Sequence, residues 1–215
     1  MADLDPQISK RLHDFRDDLS RYDKIVLVQK HVIHGDCYTL DTNAYFDLKR
    51  EVACRFDLNP NEIILVGSGK LGFSIAPHKR YRPFSDTSDL DVAVVSPALF
   101  NRAWQEVFEF VNDGGWFQQE KEFQKYLLRG WIRPDKLPPS HQCPFAKEWW
   151  EFFRELTRSD KYGFKVTGGL YNSLYFLEEV LLESCSASVL SSLTCSSRGS
   201  IRGQVRSQTQ RLKQA

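Results

Sequence analysis

Two short β-branched runs constrain this chain more than anything else in it. IILV at 63–66 ends in the turn GSGKLG, and LDVAVV at 90–95 follows directly on Asp89 and contains Asp91. Runs of this length, bounded by Gly, Asn, Asp and Ser, read as short buried strands. In a strand, residues 89 and 91 point to one face while Leu90 and Val92 point to the other, into a core. Two carboxylates on one face repel each other unless a cation sits between them. Mg²⁺ suits that position, because it prefers oxygen ligands and keeps water and substrate phosphates in its shell. The glycines put small residues where the chain turns and where backbone N–H groups can meet an anion, with the Ser68 hydroxyl as a further donor. Lys70 is a candidate auxiliary phosphate contact. The stretch is neither a Walker loop, since its lysine comes too early and GKS/T is missing, nor a dinucleotide fingerprint, since no helical pattern follows. Taken singly, the glycines also fit plain turn chemistry, and Asp86, Asp89 and Asp91 fit the polar lip of a strand.

The rest of the chain supplies helices to pack on such strands. Ile8, Leu12, Phe15 and Leu19 have the spacing of one helical face. KIVLVQKHVIHG reads equally as strand or continuing helix. Asp41 or Thr42 caps a helix through AYFDLKREVACRF, with Tyr45, Leu48, Val52 and Phe56 as its apolar stripe. Further helices are expected at 98–112, at 117–129, through KEWWEFFRELTR and through YNSLYFLEEVLLE, with FKVTGG as a short strand. The expected fold is α/β (α+β): a short mixed sheet with helices packed on it, in one domain over 1–183. Residues 184–215 read as a peripheral Ser-rich and then basic tail.

Composition bounds the function classes. With 41% hydrophobic and 13% aromatic residues, the chain is expected to bury a core. The net charge of +1 gives no global attraction to nucleic acid. That mean hides an asymmetry, because Arg198, Arg202, Arg206, Arg211 and Lys213 follow the last acid, Glu183. Five cysteines without a CxxC pair form neither a disulfide framework nor a zinc cluster, and fit a reducing compartment. The opening MADLDPQ lacks a signal-peptide pattern, and no run of eighteen apolar residues occurs, so a cytoplasmic protein without membrane association is expected.

Taken together, IILVGS and SDLDVAVV resemble the paired signature of the nucleotidyltransferase superfamily that includes DNA polymerase beta. In that signature a hydrophobic residue, Gly and Ser precede an acidic-x-acidic motif on a neighbouring strand. The longer form VGSGKLGFSIAPHKRYRPFSDTSDLDVAVVS also looks like bacterial nucleotidyltransferase-like proteins, some of them near defence or toxin–antitoxin genes. The resemblance is firm over 61–96 and extends less firmly over about 40–180. It implies that Gly67 and Ser68 hold the triphosphate and that Asp89 and Asp91 bind Mg²⁺ (or Mn²⁺). The implied reaction is attack of an acceptor hydroxyl on the α-phosphate of a nucleoside triphosphate, with RNA, a nucleotide or a protein as acceptor.

The resemblance also implies a third catalytic carboxylate on a later strand. No β-branched run with a central acid follows; Asp135 in GWIRPDKLP is the candidate, and its pairing with Arg133 or Lys136 is the alternative. FKVTGG carries Lys165 where an acid would be expected. The spacer between the motifs brings Lys70, His78, Lys79, Arg80 and Arg82, which could fold over a triphosphate or receive an RNA backbone. Two other functions therefore stand beside transfer. One is a fold that only binds nucleotide or a partner protein, and the other is an RNA-binding protein using the basic loop and tail.

Overall fold

A computed structural model describes residues 5–185. Four strands form one mixed sheet: β1 (Ile63–Val66), β2 (Leu90–Val95), β3 (Trp131–Ile132) and β4 (Val166–Tyr171), in the order β1-β2-β4-β3. β1 runs antiparallel to β2, β2 parallel to β4, and β3 antiparallel to β4. Parallel neighbours need a long crossover. Residues 96–165 provide it, carrying the helices Pro97–Asn112 and Pro144–Arg158 over one face of the sheet.

The helices are α1 (Pro6–Arg21), α2 (Lys24–Leu27), α3 (Thr42–Phe56), α4 (Gly67–Leu71), α5 (Pro97–Asn112), α6 (Glu120–Leu127), α7 (Pro144–Arg158) and α8, over 174–185. Sequence-local chemistry starts several of them. Asp5 accepts from the Gln7 amide ahead of α1, Asp41 accepts from the Ala44 amide ahead of α3, and Ser96 accepts from the Leu99 amide ahead of α5. KIVLVQKHVI is helical, with α2 widening into a π-helix at Val28–Ile33. α6 is shorter than the helix expected at 117–129, because 118–119 form a turn before it and 128–130 one after it.

Side chains alternate across the strands, so one sheet feeds two cores. Ile63, Leu65, Leu90, Val92, Val94, Val166 and Leu170 meet Leu48, Val52 and Phe56 of α3, Phe100 and Ala103 of α5, and Trp149 and Phe153 of α7. On the other face Ile64, Val66, Ala93 and Tyr171 meet Ile8 and Phe15 of α1, then Leu27, Val28 and Val32, then Leu177 and Leu181 of α8. Burying each such aliphatic or aromatic side chain contributes about 1.5–3 kcal/mol. Covered on both sides, β1 is buried at all four residues. β2 departs from that pattern at its two ends: Val95 is half-buried, and Asp91, which shares a face with Ala93, is exposed. At Asp91 the helical cover of the second face stops.

Among the described residues no helix is long and apolar enough to cross a membrane. The tail expected at 184–215 lies outside the described residues, apart from 184 and 185, which are helical.

Candidate functional site

The two sequence motifs meet at one end of the β1–β2 pair. Antiparallel register sets Val66 opposite Asp91, and Gly67 therefore falls beside the Asp91 carboxylate. Gly67 has φ +68°, and a Cβ placed on it would stand 2.7 Å from Asp91 Oδ2. Glycine is required there twice over, for the left-handed backbone and for the space. Gly69 is similarly confined, since a Cβ there would meet Leu90 Cδ2 at 2.8 Å. The sequence suggested no helix after the turn. The chain does enter one, α4, but only for five residues before Gly72 ends it with φ +90°. A helix this short leaves too little pattern to read. Ser68, on its first turn, is half-buried.

β4 completes the surroundings of the two carboxylates. Its parallel register places Thr167 directly opposite Asp91, and the Thr167 hydroxyl donates to Asp91 Oδ1 at 2.9 Å. Two residues earlier on the same face, Lys165 Nζ donates to Asp89 Oδ2 at 2.9 Å. The adjacent strand thus offers a hydroxyl and an ammonium to the acidic pair. Asp91 is open to solvent on one side, yet protein crowds the rest of its carboxyl. That burial raises its pKa above the ordinary 3.8, and the nearby charge of Asp89 adds to the rise. The Thr167 hydrogen bond and the charges of Lys165 and Lys79 pull it partly back.

Lys79 reaches this field from the spacer between the motifs. Residues 72–84 fold back on themselves: Ser74 and Tyr81 exchange backbone bonds with Arg82 and Ser74 respectively, and Phe73 bridges Pro83. Tyr81 anchors the loop, with Arg16 of α1 lying 4.5 Å from its ring centroid. The exposed Lys79 is carried at the turn.

The other two predicted side chains lie elsewhere. Lys70 is 1% exposed, with its ammonium 4.8 Å from the centroid of the Tyr45 ring. Burial lowers its pKa. An interior lysine does not fit the auxiliary phosphate contact expected from its place in GSGKLG, because the helical turn of α4 rotates it toward α3. Asp135 sits on a single 3₁₀ turn after β3, and β4 separates β3 from β2. Both its oxygens are occupied, with Arg133 Nε at 3.0 Å and Arg133 Nη2 at 3.1 Å in a bidentate pair, and Lys136 Nζ at 3.3 Å. Arg133 is itself held over the Tyr126 and Trp131 rings. Against the upward push of burial, these cations hold the Asp135 carboxyl below its ordinary pKa. That is the structural pairing, and it satisfies Asp135 without a metal.

Asp89 and Asp91 present two hard anionic ligands beside a glycine cradle, which is the protein share a Mg²⁺ with a water-and-phosphate shell requires. Among the described residues no group of three His, Cys, Asp or Glu converges to form a fuller cage. Two clefts, of about 320 Å³ beside Arg11 and His31 and of about 360 Å³ beside Glu106 and Asp113, are lined by other residues.

Thr167 was not singled out from sequence as a partner of Asp91. The alternation in KVTGG puts Lys165 and Thr167 on one face, but only strand pairing says which carboxylates they meet. Compared with known proteins, the chain matches no family model, no curated protein and no solved structure at a significant level.

Proposed function

We propose that this protein binds a nucleoside triphosphate with Mg²⁺ at Asp89, Asp91 and the Gly67–Ser68 turn, as a nucleotidyltransferase-type protein, and passes the nucleotidyl group to an acceptor hydroxyl. The observation that carries this reading is the closeness of the two motifs, which are separated by twenty residues yet leave no room for a Cβ between Gly67 and Asp91 Oδ2. In this reading Asp89 and Asp91 supply the anionic oxygens, while the turn's amides and the Ser68 hydroxyl donate to the outer phosphates. Mg²⁺, when bound, neutralises charge developing on the phosphates. Lys79 and Lys165 add positive charge around the polyphosphate.

A second reading, binding without transfer, has one observation in its favour. The position on β4 opposite Asp91 is Thr167, and Lys165 precedes it, so β4 provides no carboxylate to receive the proton of an attacking hydroxyl. Incubation with each α-labelled nucleoside triphosphate, Mg²⁺ or Mn²⁺, and total RNA or lysate separates the readings. Transfer is expected to move label onto a macromolecule or nucleotide, and Asp91→Asn to abolish it. Calorimetric binding of Mg²⁺-nucleotide that Asp91→Asn weakens, without label transfer, would establish binding alone. No binding by the unmodified protein would remove both readings.

A further inference from the structure

The ion pair between Lys165 and Asp89 says how much metal such a site can take. Each carboxylate has one oxygen engaged by β4: Asp91 Oδ1 by the Thr167 hydroxyl and Asp89 Oδ2 by the Lys165 ammonium, both at 2.9 Å. Asp91 Oδ2, the oxygen facing the Gly67 cradle, and Asp89 Oδ1 remain. Two oxygens from two carboxylates are a normal protein share for one Mg²⁺. A second cation would need further anionic ligands, and among the described residues no third acid, histidine or cysteine converges there. Charge gives the same answer. One divalent cation and Lys165 already carry three positive charges against two negative ones, and the surplus can be met by phosphate oxygens.

We propose that the site holds a single divalent cation and that Lys165 stands in for a second one, paired with Asp89 in the free protein and donating to the polyphosphate when nucleotide is bound. This rests on the nucleotide-binding reading above. Lys165 and Asp89 are both solvent-accessible, so the ammonium can change partners without disturbing the core. It acts as a point charge on a flexible stem, which suits it to follow a phosphate.

The test counts metal ions and measures two affinities, using Mn²⁺ and the α,β-methylene analogues of ATP and GTP, which cannot transfer a nucleotidyl group. Electron paramagnetic resonance should find one Mn²⁺ per chain in the ternary complex. Lys165→Ala should weaken metal-free binding of the analogue by about fivefold and tighten Mn²⁺ alone by about fivefold, the scale of one exposed charge contact. Lys165→Met, which keeps the aliphatic stem, should match it, and thermal unfolding checks that both variants are folded. Lys165→Glu should admit a second Mn²⁺. Two Mn²⁺ in the unmodified protein, or unchanged affinities in both neutral variants, would overturn the role of Lys165 while leaving nucleotide binding intact. An unmodified protein that binds neither Mn²⁺ nor analogue overturns the underlying reading as well.

Discussion

At the scale of single residues, Gly67 and Asp91 are one unit. A left-handed backbone costs a side-chain-bearing residue about 1–2 kcal/mol, and at Gly67 the new Cβ also meets Asp91 Oδ2. Gly67→Ala should therefore lower stability by at least about 1–2 kcal/mol in denaturant unfolding. Combined with Asp91→Ala it should cost less than the sum, because the second change empties the space the first one needs. Asp91 gives a pH prediction as well. Its pKa is raised in the folded state, so its ionised form disfavours folding. At neutral pH Asp91→Asn should unfold at a higher temperature than the unmodified protein, since Asn Oδ1 can still accept from Thr167. The advantage should shrink as pH falls through the raised pKa and vanish below 3.8, where Asp91 is protonated folded or unfolded. Unfolding midpoints measured from about pH 3 to about pH 7 check the sign.

At the scale of elements, β4 does the most to define the site, and it does so with residues that look weak for a strand. Gly168 faces α7, where a Cβ would stand 2.3 Å from Phe153 Cζ and 2.7 Å from Trp149 Cζ2. The aromatic helix can therefore lie directly on the strand, whose register with β2 sets Lys165 and Thr167 beside the carboxylates. Gly168→Ala should overpack this contact and cost about 1–3 kcal/mol. Adding Phe153→Leu should recover part of the loss in urea or guanidinium titrations. The strand at FKVTGG was readable from its β-branched start, whereas five residues of GSGKL carry no helical period, and that unread turn is what sends Lys70 inward.

At the scale of the whole molecule, the sheet is a middle layer, and its second face depends on helices from both ends of the described chain. Phe15 of α1 is 1% exposed and packs edge-on against His31 and Phe73. Phe15→Ala should cost about 3–5 kcal/mol. Phe108→Ala on the exposed side of α5, 63% exposed, should change stability by no more than about 0.5 kcal/mol. Equilibrium unfolding of both variants tests whether α1 belongs to the cooperative core. The sequence by itself determined the strands at 63–66 and 90–95, the amphipathic helices, the Asp41 cap and the nomination of Gly67, Ser68, Asp89 and Asp91, because periodicity, capping and turn chemistry act over a few neighbouring residues. It left KIVLVQKHVI undecided between strand and helix, as apolar runs of that length fit both periods. Only the tertiary structure decided that Gly67 abuts Asp91 and that Thr167 and Lys165 face the carboxylates. Those are consequences of strand register and sheet order, which depend on contacts between segments tens of residues apart and leave no local trace in the chain.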